Sequence, residues 1–349
     1  LPAIPGYTLE REIGRGVMGV TYLARRDGHP QPYAIKVVRP ATQPTDAQLH
    51  EFLRYARMLT RLDHSHILRL READVCPAGI YFVTDYFTSL NMNDLLKRDG
   101  PLSMKRTVHI ANQILHALMY AHSHHFVHRD IKPGNILIGE IDGKETVMLA
   151  DFGVARVTGL HAATVGGAIK GSLGYMAPEQ VQGGTITPAT DVYGAGIVLW
   201  EMLTKRRAFA REGGSDVDVL RAMSEPKIPS IDELRLDLDK NVRELVTATL
   251  EPYVATRTLA AARIAQTLSD LDPEGAGRAE LVEVLRRVRE KRSAKPDATP
   301  KAAKVAPPAL PSNVHVAEPT PTEKAHEAEA PAPPKPPAGE TARKPPMKR

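Results

Sequence analysis

The chain has 349 residues, a single cysteine and a formal net charge of +5. One thiol, Cys76, excludes an internal disulfide and fits a reducing compartment, where it reads as a small buried or half-buried filler rather than a reactive group. The charge excess lies in Arg278–Arg349, with fifteen Lys/Arg against nine Asp/Glu, which leaves the preceding residues at −1 and disfavours a globally basic nucleic-acid binder. No apolar run approaches the ~20 residues that a membrane helix requires, and no secretory signal opens the chain.

Apolar runs at Tyr7–Ile13 and Val20–Ala24 read as strands, with Gly14-Arg15-Gly16-Val17-Met18-Gly19 between them. Gly14, Gly16 and Gly19 would let backbone amides close over phosphates. A dinucleotide fingerprint would open a helix here, with an acidic residue about twenty positions on. A strand follows instead.

The next strand, Tyr33–Val38, carries Lys36 between apolar neighbours. A helix over Asp46–Leu62 is predicted from Phe52, Tyr55, Leu59 and Leu62, which form one stripe and turn Tyr55 inward. Strands at Ile67–Arg71 and Ile80–Val83 complete a sheet-rich first part. Past Tyr81–Tyr86 the patterns lengthen into helices, at Thr107–His122 and Ala189–Leu203.

Between those helices runs His128-Arg129-Asp130-Ile131-Lys132-Pro133-Gly134-Asn135, and Asp151-Phe152-Gly153 follows sixteen residues later. The apolar runs Ile136–Ile138 and Val147–Leu149 between them read as strands. Phosphoryl transfer asks little covalent chemistry of a protein; it requires a positioned hydroxyl and clamped, metal-bound phosphates. Asp130 would accept the proton of the attacking hydroxyl, and Lys132 would neutralise the moving group. Asn135 and Asp151 would hold magnesium. His122, His124, His125 and His128 crowd this stretch without a convincing metal-ligand spacing.

These residues resemble the protein kinase family, and Lys132 two places after Asp130 resembles its serine/threonine branch, of bacterial type. The resemblance implies an α+β, two-lobed fold with a small β-rich lobe bearing one helix and a large helical lobe. It implies ATP with Mg2+ or Mn2+ as cofactors and transfer of the γ-phosphate to protein Ser/Thr hydroxyls in signalling, including autophosphorylation, for which a homodimer would serve. Lys36 then partners the α- and β-phosphates, and Asp85 and Tyr86 border the adenine. The implied division is a nucleotide-binding lobe at 1–86, a catalytic lobe at 87–271, a helical basic stub at 272–295 and a tail at 296–349.

Two departures from the family pattern stand out. Thr21 occupies the place usually given to valine over the adenine. Tyr55 occupies the place of the helix glutamate that pairs with Lys36, and a phenol cannot form that ion pair. Glu51, one turn earlier, would substitute only after a helix shift of ~5.4 Å. The expectation is reduced but real catalysis; the alternative is a kinase-like nucleotide-binding scaffold.

The segment from Asp151 to Ala177-Pro178-Glu179 contains Thr158, Thr164 and Ser172. In the family a phosphate here pairs with the arginine at the place of Arg129, and Thr164 is the expected site. Ser172 stands where its hydroxyl would bridge Asp130 and Lys132, while Leu173 and Gly174 hint at an apolar neighbour for the target hydroxyl. Glu179 and Arg257 match a buried ion pair, and Asp191 matches an aspartate that caps the catalytic loop.

Leu281, Val284, Leu285 and Val288 recur at helical spacing and lead into the basic run Arg286–Arg292, read as a solvated helix end before a linker. From Pro296 onward, fourteen of 54 residues are proline. Such a segment buries too little apolar surface to offset its ordering entropy, so disorder is expected. The tail is expected to bind partners or to lead to a membrane anchor outside this chain, whose first residue, Leu1, suggests a trimmed piece. The expected location is cytoplasmic, free or as the cytosolic part of an anchored protein.

Overall fold

A computed structural model describes residues 1–16, 19–39, 44–99, 101–152, 173–209 and 215–293. Contacts divide the chain into two units, Leu1–Ala302 and Ala303–Arg349, and the described residues all belong to the first. The expected sites Thr164 and Ser172, together with Val17, Met18 and Gly153, lie outside the described residues.

The small lobe is a five-stranded antiparallel sheet of β1 (Tyr7–Gly16), β2 (Gly19–Arg26), β3 (His29–Val38), β4 (Leu70–Cys76) and β5 (Gly79–Asp85), in the order β1-β2-β3-β5-β4. Side chains alternate across a strand. Ile35 and Val37 therefore join Ala24, Tyr81 and Val83 on one face, with Cys76 half-buried beside them. Val38, Ile80 and Phe82 face the other way, under Phe52 and Ala56 of α1 (Asp46–Leu59). The same alternation puts Lys36 on the α1 side of β3.

Helix α1 begins in a capping box, Thr45 with Gln48, which satisfies two of the otherwise orphaned backbone donors. The expected strand at Ile67–Arg71 starts later, at Leu70, because Ile67 is drawn out of the small sheet into a bridge with Leu149. Main-chain bonds Leu68 N to Leu149 O and Leu149 N to His66 O, both 2.9 Å, lock the loop after α1 to the large lobe.

The large lobe opens with β6 (Ser89–Asn91), α2 (Met92–Asp99) and α3 (Met104–Ser123). The hairpin of β7 (Ile136–Ile141) and β8 (Lys144–Leu149) pairs with β6 in the order β6-β7-β8. Then follow α4 (Pro178–Val181), α5 (Pro188–Thr204), α6 (Asp216–Ser224), α7 (Ile231–Leu234), α8 (Lys240–Thr249), α9 (Ala261–Ser269) and α10 (Ala276–Ser293). Helix α5 is apolar nearly all round and buried from Thr190 to Leu203, as a central helix must be.

Helix α10 departs from the expected solvated stub. Leu281, Val284, Leu285 and Val288 are all buried in the main core of the large lobe. Gly277 permits this approach: a Cβ there would lie 2.0 Å from the Lys105 carbonyl oxygen of α3.

Arg257 is fully buried and donates from Nη1 to Glu179 at 2.9 Å and to the Ala189 carbonyl at 3.0 Å, while Nε and Nη2 donate to the carbonyls of Glu251 and Pro252. The guanidinium also lies over the Tyr193 ring, 4.7 Å from its centroid. Removing one partner of such a pair strands the other charge in the interior. Arg257→Ala should lower unfolding free energy by about 3–5 kcal/mol, a fall on the order of 10 °C in thermal midpoint for a unit of this size, read by calorimetry.

Candidate functional site

A cavity of about 780 Å³ lies between the two lobes. Gly14, Thr21, Ala34 and Lys36 line it from the small lobe, and Asp85, Tyr86 and Phe87 line it from the segment joining the lobes. Leu137 and Asp151 line it from the large lobe. Gly14 pairs with Thr21 and Gly16 with Gly19, so these glycines form the turn end of the β1–β2 hairpin. Gly19 is required by packing, since a Cβ there would lie 2.1 Å from the Val37 carbonyl oxygen. Asp85 is held by Arg71 in a two-pronged bond of 2.7 and 2.8 Å, which fixes the end of β5 at the cavity edge.

The loop before β7 is built on one buried carboxylate. Asp191, at the first turn of α5, accepts from the backbone N–H groups of His128 and Arg129 and from His122 Nε2, each at 2.8 Å. His128 is completely buried, and that burial lowers its imidazole below the ordinary value, with the acids around it opposing the shift. The ring is therefore neutral. Nε2 contacts the Ala150 carbonyl at 2.9 Å, which can only accept, so Nε2 carries the proton and Nδ1 accepts from Asp130 N–H at 3.2 Å.

These bonds draw Arg129 into the left-handed backbone region, at φ 69°. Asp151 adopts the same region, at φ 62°. Non-glycine residues hold such conformations only where surrounding structure enforces them, and they gather at working sites.

Downstream of His128, Lys132 Nζ donates to Asp130 Oδ2 at 2.6 Å, and Asn135 Nδ2 donates to Asp130 O and Oδ2 at 2.8 and 3.0 Å. A three-residue 3₁₀ turn at Pro133–Asn135 then delivers the chain into β7. Ala150 N–H donates to Asn135 O at 2.8 Å, so Asn135 and Asp151 are brought together at the two ends of the β7–β8 hairpin.

Lys36 Nζ crosses from the small lobe to Asp151 Oδ2 at 2.5 Å. Burial alone would raise the Asp151 carboxyl, but Lys36, with Lys132 behind it, holds it below the ordinary carboxylate value. Glu51 is exposed on α1 and is not a partner of Lys36, which removes the compensation considered from the sequence. Tyr55 is half-buried, and its ring lies against Phe126, 5.8 Å between centroids. It thus spends its inward direction on the large lobe.

The donor set suits a hard divalent cation. Asp151 offers a carboxylate, and because Nδ2 of Asn135 is engaged with Asp130, the amide oxygen is the atom Asn135 would offer. Magnesium is commonly held by one or two protein oxygens together with substrate phosphates. Among the described residues no three His, Cys, Asp or Glu gather into a cage. His64 stacks on Tyr120 and His124 lies tilted against the same ring, and His122 is taken by Asp191.

Thr21 lines the cavity, as the sequence expectation had it. Thr84, Leu137 and Phe152 line it too and were missed; Leu137 was detectable only as the partly open position between buried Ile136 and Ile138. Arg129, within the loop, accepts at its carbonyl from Gln180 Nε2 at 2.8 Å.

A family model described as protein kinase domain matches residues 7–268. The serine/threonine-protein kinase PknK of Mycobacterium bovis is 34% identical over 281 residues, 78% of this chain and 24% of that protein. PkaA of Streptomyces coelicolor, also named a serine/threonine-protein kinase, is 35% identical over 237 residues, 64% of this chain and 43% of that protein. PknA of Mycobacterium tuberculosis, of the same printed description, is 32% identical over 311 residues, 88% and 67% of the two chains. The chain thus spans a quarter to less than half of the first two. The crystal structure of the Mycobacterium tuberculosis PknI kinase domain matches in fold, with a TM-score of 0.62 at 23% identity over 77% of this chain and 97% of that one.

Asp191→Ala would leave two backbone donors and His122 without their acceptor. A loss of roughly 3–5 kcal/mol is expected, and far-UV melting of the variant against the parent measures it.

Proposed function

Since this chain belongs to the protein kinase domain family, in its bacterial serine/threonine branch, we propose that it transfers the γ-phosphate of ATP to Ser or Thr hydroxyls of proteins, its own included. The observation that carries the reading is the cluster of Asp130, Lys132 and Asn135 joined by bonds of 2.6 to 3.0 Å beside the Asp151–Lys36 pair.

A bound magnesium nucleotide would supply the phosphoryl group and part of its charge neutralisation. The chain's own residues do the rest. Lys36 is the cation for the phosphates on the small-lobe side, and Gly14, Gly16 and Gly19 have no side chains of their own to crowd them. Asp151 and the amide oxygen of Asn135 would hold the metal. Asp130 takes the proton of the incoming hydroxyl; the bond from Asn135 orients its carboxylate, and Lys132 offsets charge as the phosphoryl group moves. Asp85 and Tyr86 border the adenine. A phosphate on Thr164 would pair with Arg129 and order the segment between Asp151 and Ala177. The ATP supply points to the cytoplasm.

Lys36 is paired with Asp151, so the proposed phosphate cation and metal carboxylate are each other's partners. A glutamate at position 55 would offer Lys36 another partner and leave Asp151 to the cation. We therefore read Tyr55 as a brake on turnover rather than as a mark of an inert scaffold, since Asp130, Lys132 and Asn135 are joined to one another.

Incubation of the full chain with radiolabelled ATP and magnesium or manganese should label Ser and Thr. Asp130→Asn should cut the rate roughly 10²–10⁴-fold; no labelling of the parent, or equal labelling of the variant, overturns the proposal.

Tyr55→Glu should raise kcat/KM by about tenfold, the effect of one additional charge-assisted hydrogen bond of ~1.4 kcal/mol. An unchanged value would remove Tyr55 as the limit on activity.

A further inference from the structure

The kinase family match ends at residue 268, yet the compact unit continues into α10, which contributes to the same core. Where α10 docks is informative. It grips both strands of the β7–β8 hairpin. Arg278 Nε donates to Glu145 of β8 at 2.9 Å, and Arg289, about three turns on, pairs with Glu140 of β7. Glu145 is buried and also accepts from His109 and Gln113 of α3, at 2.5 and 2.7 Å. Burial works against its ionisation, but these partners hold its carboxyl below the ordinary value, so it remains a charged anchor for Arg278.

Between these two grips, Leu285 and Val288 face the back of the segment that joins the lobes. They line, with Leu90 and Ile138, a cavity of about 210 Å³ whose opposite wall is Thr88 and Ser89. Thr88 and Ser89 also line the nucleotide cavity. One stretch of backbone therefore separates the two spaces, with the nucleotide on one side and α10 on the other.

Gly139 shows how tightly this stretch is seated. A Cβ there would lie 2.4 Å from the Thr88 carbonyl oxygen and 2.8 Å from the Phe87 ring. Residues 87–89 thus rest on β7 directly, and β7 is itself held from behind by α10.

We propose that α10 is a buttress of the lobe-joining segment, and that Leu285 and Val288, braced by the Arg289–Glu140 pair, are positioning residues for nucleotide binding. The inference rests on the kinase reading above. Packed interiors transmit displacement because neighbouring atoms leave little free volume. Trimming Leu285 and Val288 enlarges a space already present behind Thr88, and the edge that receives the adenine loses its backing. The consequence is selective: nucleotide affinity falls, while the groups that move protons and hold the metal stay where they are.

The test uses the full chain and Leu285→Ala/Val288→Ala. Nucleotide dissociation constants are measured by calorimetry with ADP and magnesium, amide hydrogen exchange is followed at residues 86–90, and steady-state kinetics separate KM for ATP from kcat. The double variant should bind about three- to tenfold more weakly and exchange faster at 86–90, with kcat at saturating ATP within about twofold of the parent. A variant that melts earlier but binds ADP as the parent does, with unchanged exchange, overturns the proposal and leaves α10 as structure alone.

If the double variant does not fold, Arg289→Glu decides, because the Arg289 side chain is 63% exposed and lies outside the apolar core. Weaker ADP binding restored by adding Glu140→Arg supports the buttress, and no change in either variant overturns it. A parent that binds no nucleotide at all overturns the kinase reading and this inference together; a parent that binds while every variant matches it overturns only this one.

Discussion

The working loop hangs on Asp191. Its carboxylate is almost fully buried, a position that would be costly unless every oxygen found a donor. It finds three, and two of them are the consecutive backbone N–H groups of His128 and Arg129. Accepting from neighbouring amides forces the peptide between them to turn, which is why Arg129 sits at φ 69°. From that turn the rest follows by short steps: His128 bonds Ala150 beside Asp151, Asp130 leaves the turn toward the cavity, and Lys132 and Asn135 close around it. The strain at Arg129 and Asp151 is sustained by central packing, since Asp191 stands on the most deeply buried helix of the large lobe.

Much of this was legible in the sequence because the relevant residues lie close together along the chain. Asp130, Lys132 and Asn135 are separated by two and three positions, so one loop brings them together, and the apolar runs after Asn135 and before Asp151 implied the hairpin that returns Asp151 to it. The strand bearing Lys36 and the stripe of α1 were equally visible as periodicity. What periodicity does not encode is the partner across a gap in the chain. Ile67 looked like the start of a strand because it is apolar and β-branched, yet its place is against Leu149, 82 positions away. Leu281, Val284, Leu285 and Val288 announced a helix with an apolar face, but nothing near them in sequence named α3 and β8 as the surfaces that cover it. Gly139 and Gly277 belong to no motif, and each matters only because another backbone passes within van der Waals reach.

The Lys36–Asp151 pair is where family pattern and this chain part company. A lysine among apolar groups needs an acid, and with Tyr55 turned to Phe126 the acid available is the one a metal would use. The pair is only partly shielded, at 21% and 32% side-chain exposure, so water weakens it and its rupture is a modest demand on a bound nucleotide rather than a prohibitive one. Under the proposed kinase reading both charges would be re-paired on loading, the lysine by phosphate and the aspartate by metal, so exchange of partners would cost much less than exposure of either.

Helix α10 extends the same logic to the far side of the cavity. A binding cleft between lobes is only as well defined as the segment that joins them, and that segment has few side chains of its own to hold it. Here it is pinned from below by Gly139 and from behind by a helix that lies beyond the family match. The two arginines at the ends of the contact give the helix a register along the hairpin, since sliding it by one turn would separate Arg278 from Glu145 and Arg289 from Glu140 at once. Apolar burial supplies the adhesion and the charges supply the position, a division of labour expected where apolar contact is strong but non-directional.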